Sequence, residues 1–337
     1  MGGHCVTQTD PDLVLEWGRH RRRSWARRHA SLVTCVTVVI VLTLAVVGVK
    51  VFRPSPGALG PSAPAPTAPI RYLGVHEPDA PKSYADIDQF AQNVGRQPNI
   101  VSYYSGWGEP FQKAFAQTAF SRGATTIVFM DPTNISLAKI AAGTYDAYLI
   151  SFARKVASFG HPVAISFAHE ANGFWYTWGY HHSRAADFIA AWRHVVTLFR
   201  QHGAGNVIWL WVVNSGSSAT GPVQDWWPGS QYVTWVGIAG YYWLPGETFS
   251  YIFGRVVATI RRFSHAPVLI AETGVGPFPG RSQGIKDLFA GVRAQHYLGL
   301  VWFDVHSHGG LYKGENWRLE GNSTALAVFR SALHGSS

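Results

Sequence analysis

The stretch Pro162-Val-Ala-Ile-Ser-Phe-Ala168 is apolar at almost every position and runs straight into His169-Glu170-Ala171-Asn172. A strand with one wet face alternates apolar and polar residues, so an unbroken apolar run describes a strand covered on both faces, as in a parallel sheet flanked by helices. Pro267-Val-Leu-Ile-Ala271, ahead of Glu272-Thr273-Gly274, has the same form. Working outward, further strand-like runs lie at Tyr72–Val75, Ile100–Tyr104, Thr126–Met130, Val207–Val213, Trp235–Tyr241 and Leu298–Phe303, which makes eight. Most are separated by helical spacing. Ser183–Gln201 sets Phe188, Ala191, Trp192, Val195, Val196 and Phe199 on one face, and Phe249–Phe263 reads in the same way. Ser183 and Ser282 suit helix starts, and Gly160 and Gly203 suit helix ends. Eight buried strands alternating with helices, in one domain of about 250 residues, predict an α/β fold of the closed (β/α)8 TIM-barrel type. A doubly wound sheet would need fewer strands and a Gly-rich phosphate loop after the first, and none follows Val75.

In such barrels chemistry sits where the strands end. Here the ends read His76-Glu77, Tyr103-Tyr104-Ser105, Asp131, His169-Glu170, Asn214, Tyr241-Tyr242-Trp243, Glu272 and Asp304, with Trp107, Trp175, Trp178, Trp226 and Trp227 in the loops that follow. Flat aromatic rings among short hydrogen-bonding side chains suit a saccharide, whose rings have apolar faces and hydroxyl rims. Any single Trp could equally be core packing, and a lone strand-end Glu such as Glu77 is commonly an arginine's partner. Two glutamates closing two buried strands read instead as a glycosidase pair. His76, His169, His181, His182, His306 and His308 do not gather from enough strand ends to read as a metal centre, so no metal and no cofactor is expected.

Ser166-Phe-Ala-His-Glu-Ala-Asn-Gly-Phe-Trp-Tyr-Thr-Trp-Gly179, Trp209-Leu-Trp-Val-Val-Asn214, Val236-Gly-Ile-Ala-Gly-Tyr-Tyr-Trp243 and Ile270-Ala-Glu-Thr-Gly274 resemble glycoside hydrolase family 26, whose best-known members are endo-β-mannanases. The likeness covers essentially all of residues 70–337. It implies a (β/α)8 barrel, Glu170 as acid/base and Glu272 as nucleophile of a retaining mechanism. It also implies His169, Trp175, Tyr241 and Trp302 as positions of the sugar site, and the strand-end reading adds Asn214, Asp304 and Trp107 as expected substrate-binding residues. Ala171 stands where a larger residue such as Met is common in the family, and Ala239 where Asp is frequent. In such a pair the charge of Glu272, held by groups such as Tyr241, would raise the pKa of Glu170 and keep it protonated as the acid.

The amino-terminal residues have another composition. Residues 1–31 form a basic tail, 32–52 a transmembrane signal anchor centred on the uncharged Leu32–Val49, and 53–69 a Pro/Ala-rich linker. Arg19, Arg21, Arg22, Arg23, Arg27 and Arg28 precede the apolar run, which orients the tail to the cytoplasm and the 70–337 glycoside hydrolase domain to the outside. The same features fit a cleaved signal peptide and a secreted protein. A large share of the positive charge behind the net +9 sits in that arginine cluster, so it argues for membrane orientation and not for nucleic acid. Both cysteines, Cys5 and Cys35, precede the domain, which therefore has no disulfide. The expected partners are a polysaccharide, a β-mannan or related β-glycan, and the membrane, with a monomeric catalytic domain. Three other readings stay open: a non-catalytic carbohydrate-binding protein or polysaccharide-synthesis accessory protein, a β-1,3-xylanase, and a mixed-linkage β-glucanase on the same fold.

Overall fold

The computed structural model describes residues 70–216, 220–306 and 316–335. The expected tail, anchor and linker lie outside these residues, and so does His308. Among the described residues no helix is long and apolar enough to cross a membrane.

Eight parallel strands close into a barrel in chain order: β1 (Tyr72–His76), β2 (Ile100–Gly106), β3 (Thr125–Asp131), β4 (Val163–Phe167), β5 (Val207–Asn214), β6 (Trp235–Ala239), β7 (Val268–Thr273) and β8 (Gly299–Phe303). Helices α1 (Ala85–Val94), α2 (Lys113–Ser121), α3 (Leu137–Ala141), α4 (Asp146–Phe159), α5 (Ala185–Gln201), α6 (Arg255–Ile260), α7 (Arg281–Ala294) and α8 (Ser323–Leu333) surround it. This is the expected (β/α)8 architecture.

The continuous apolar runs are explained by two cores. Outward residues such as Val163, Ile165, Phe167, Trp209 and Trp211 pack with the helices in a large outer cluster. Inward residues, among them Ile100, Ile127, Phe129, Ala164, Leu210, Val212, Leu269 and Val301, fill the lumen. With both faces buried there is no polar face to alternate. Gly74 and Gly237 keep the lumen closed, because a Cβ on Gly74 would stand 2.7 Å from Val301 Cγ2 and one on Gly237 would stand 2.6 Å from Val212 Cγ2.

Candidate active site

Strand alternation delivers one inward residue to the carboxyl-end mouth from most strands: His76, Tyr104, Asp131, Asn214, Tyr241 and Phe303 continue the lumen-facing series. The two glutamates reach the mouth by local irregularities. On β7 the pairing with β6 steps from Ile238↔Ile270 to Ala239↔Glu272, and the pairing with β8 shifts over the same residues. This is a β-bulge. Ala271 belongs to the lumen cluster, and the extra residue lets Glu272 face the mouth as well, where Tyr104 and Tyr241 hydrogen-bond its two oxygens. After β4, Ala168 and Glu170 both have positive φ, 49° and 51°. Such backbone costs a non-glycine residue about 1–2 kcal/mol. It is held by bonds to both neighbouring strands, Ala168 N to Met130 O and Glu170 N to Val212 O, each 2.9 Å.

Glu170 accepts from Asn214 Nδ2 at 2.7 Å on Oε1 and from Trp175 Nε1 at 2.8 Å on Oε2. The Trp175 indole crosses Gly173, where a Cβ would lie 2.3 Å from Cζ2 of the ring, so this approach requires glycine. Burial, then the nearby charge of Glu272, lift the Glu170 carboxyl to about 7 against the opposing pull of His169, Asn214 and Trp175. His169 Nδ1 is 2.8 Å from Asp131 Oδ1, and its Nε2 is 2.9 Å from the Tyr176 hydroxyl. Burial pulls the His169 imidazolium down, but Asp131, Glu170 and Glu272 outweigh it and raise it to about 9. His76 is taken the other way: burial lowers it to about 4 despite its bond to the Ser102 carbonyl, so it is neutral at pH 7. Together these groups form a pair of electrostatically coupled carboxyls, one tending to hold a proton and one gripped by two hydroxyl donors.

Residues 83–332 match the family described as Glycosyl hydrolase family 26. The chain belongs to that family. Endoglucanase H of Acetivibrio thermocellus is 28% identical over 272 residues, which is 76% of this chain and 29% of that protein. Beta-1,3-xylanase TXYA of a Vibrio species is 32% identical over 108 residues, 32% of this chain and 22% of that protein. The chain thus spans less than a third of the length of the curated relatives it matches. Among solved structures, a Bacillus subtilis mannanase superposes with a TM-score of 0.58 at 16% identity, covering 80% of this chain and 87% of its own. A mannanase from a termite's symbiotic protist, complexed with gluco-manno-oligosaccharide, gives 0.57 at 16%, covering 78% and 86%. At such identities the likeness is one of fold.

Of the residues expected at the site, the structure brings Glu170, Glu272, His169, Trp175, Asn214 and Tyr241 together at one mouth. Three other residues stand apart. Trp302 faces outward, fully buried against Phe329 of α8 with ring centroids 5.2 Å apart, and its Nε1 donates to Asp304 Oδ1 and Trp317 O. The inward residue of β8 is Phe303, stacked on His76 at 5.1 Å. Trp107 packs on Tyr145 and Tyr148 beside α4. Asp304 is buried, accepts from Leu319 N at 3.0 Å and shares a hydrogen bond with Glu77.

Tyr104, Asp131, Tyr176 and Trp317 were not singled out as site residues from the sequence. Tyr104 and Asp131 carry the strand-end signal, and Tyr176 lies within the family string. Trp317 carries none of these signals; it reaches Tyr241 (4.8 Å between ring centroids) from beyond β8, tied by Arg281 Nη2 to its carbonyl at 2.9 Å.

Proposed function

We propose that this chain is a membrane-anchored retaining endo-β-glycanase that cleaves a β-linked polysaccharide by double displacement, with Glu272 as nucleophile and Glu170 as acid/base. The observation that carries this reading is the asymmetry of the pair. Glu170 is lifted to about 7 by burial and by Glu272, while Glu272 is held on both oxygens by tyrosine hydroxyls. Glu272 attacks the anomeric carbon as Glu170 gives its proton to the departing glycosidic oxygen, forming a glycosyl ester. Esterification removes the Glu272 charge, so Glu170 becomes a stronger acid, loses its proton and can then take one from the water that opens the ester.

Mannan is the first substrate to try, on the strength of the family resemblance. A β-1,3-xylan or a β-glucan is a second reading, favoured by the names of the curated relatives. The test is reducing-sugar release by the full chain on β-mannans, β-1,3-xylan and mixed-linkage β-glucan, with Glu272→Ala as control and NMR of the first product anomer. Release of a β-anomer that the substitution abolishes supports a retaining glycanase and names its substrate. Oligosaccharide binding without release favours a carbohydrate-binding or synthesis-accessory protein.

The anchor rests on Leu32–Val49 and the arginines before it. It gives the enzyme a local role, trimming polysaccharide at the surface of its own cell. Recovery of the native chain from the membrane fraction is expected, and recovery wholly from the medium would contradict it.

A further inference from the structure

One hydroxyl beside the carboxylate pair has no role in the mechanism above. The Tyr176 ring is stacked on Trp178, with centroids 4.3 Å apart and planes 9° apart, and meets His169 at 4.7 Å. Its oxygen lies 2.9 Å from His169 Nε2, and among the described residues His169 is its only hydrogen-bond partner. The Tyr176 phenol is held well above its usual value, first by burial and then by the charges of Glu170, Glu272 and Asp131, so its proton stays on.

The direction of the His169–Tyr176 bond depends on the imidazole. Asp131 occupies Nδ1. A singly protonated ring donates there, leaving Nε2 as a lone pair that must receive the tyrosine proton. A doubly protonated ring donates from both nitrogens, so the tyrosine oxygen accepts and its own proton points elsewhere. The groups facing His169 favour the second state. Asp131 on β3 bonds it, Glu170 and Glu272 act on it through space, and Tyr104 and Tyr176 are the other titratable neighbours. The strongest charges acting on it are all carboxylates. Burial alone opposes the charge, and the imidazolium still reaches about 9.

We propose that Tyr176 donates a hydrogen bond to a hydroxyl of the sugar seated between Glu170 and Glu272, and that the Asp131–His169 pair sets it as a donor by filling its oxygen from the other side. This rests on the glycan-binding part of the reading above. Tyr176 is then a substrate-contacting residue, and His169 and Asp131 are positioning residues that act through it. Without the charge on His169 the same hydroxyl turns its proton to Nε2 and offers the sugar only lone pairs. Asp131→Asn keeps an oxygen for Nδ1–H but removes the charge, so it should have the same effect as Tyr176→Phe.

The test uses the full chain with 15N-labelled histidine, together with kinetics and calorimetric binding of manno-, xylo- and gluco-oligosaccharides. Both His169 nitrogens should be protonated at pH 7 in the wild type, and one in Asp131→Asn. Tyr176→Phe and Asp131→Asn should each lower kcat/KM or affinity about 10- to 100-fold, and combining them should add little. Among mono-deoxygenated ligands, one position should weaken the wild type and leave Tyr176→Phe unaffected. A singly protonated His169 in the wild type overturns the proposal, as do Tyr176→Phe with wild-type affinity and additive losses in the double variant. A chain that binds glycans without cleaving them, and loses that binding in Tyr176→Phe, removes the hydrolase reading while supporting this one. A chain that neither binds nor cleaves overturns both.

Discussion

Tyr104 and Tyr241 hydrogen-bond opposite oxygens of the Glu272 carboxylate, one reaching it from β2 and the other from just beyond β6. Two donors from separate chain segments fix the rotation of the carboxylate, and with it, under the proposed mechanism, the line of attack on a sugar. We expect Tyr104→Phe and Tyr241→Phe each to lower kcat by about 100-fold, the scale of a misplaced reacting group. The double variant should lose less than the product, because the donors act on one group. Steady-state kinetics on folded variants checks this, and unchanged kcat in both would refute it.

The proposed first step needs Glu170 protonated, and burial with the Glu272 charge places that carboxyl at about 7. The alkaline limb of kcat/KM should therefore fall near pH 7. Asn214 and Trp175 donate to its charged form and pull the value down. Asn214→Ala should thus move the alkaline limb to higher pH while lowering the plateau, and a move to lower pH would contradict the assignment.

Glu77 and Asp304 share a hydrogen bond in a buried setting, and Glu77 is raised to about 10 by burial first, then by Asp304 and Asp86. The fold therefore holds Glu77 neutral. Since the unfolded chain releases that proton above about 4.5, the fold loses stability as pH rises from there toward 10. Gln at position 77 keeps a neutral donor for Asp304 without that loss. Glu77→Gln should flatten the decline of Tm with pH and gain on the wild type at pH 8 relative to pH 4, by about 2–4 °C per kcal/mol recovered. A larger decline for the variant would overturn the proton assignment.

Gly173 lies under the Trp175 indole. Gly173→Ala must displace the ring and with it the Nε1 bond to Glu170, costing about 1–3 kcal/mol in packing. A fall of about 10-fold in kcat/KM, with a change in tryptophan fluorescence, is expected.

The barrel was legible because each strand run is buried on both sides, and all eight runs begin within one residue of the observed strand start. Helix starts were less so. Ser183 does not cap α5, which begins at Ala185, because its hydroxyl bonds the Thr177 carbonyl; Ser282 lies inside α7 behind Gly280. Gly160 ends α4 in the left-handed conformation, as its position suggested. Glu170 and Glu272 were visible as charges closing apolar runs. Which of Trp302 and Phe303 looks inward was not, since both are aromatic and only the register with β1 decides it. Trp317 comes from distant chain and depends on the Arg281 tie, a contact that no local pattern encodes.

The shift on β7 makes the position of Glu272 a matter of counting. Flattening the bulge while keeping every residue would carry on the alternation of inward Leu269, outward Ile270 and inward Ala271 and turn Glu272 toward the helices, whereas deleting Ala271 would leave the glutamate inward and opposite Ala239. A chimaera that grafts β7 from another barrel would therefore present a carboxylate at this mouth only if its glutamate fell on an inward position of its own register, with the bulge when a residue stands between it and the partner of Ile238, and without the bulge when none does.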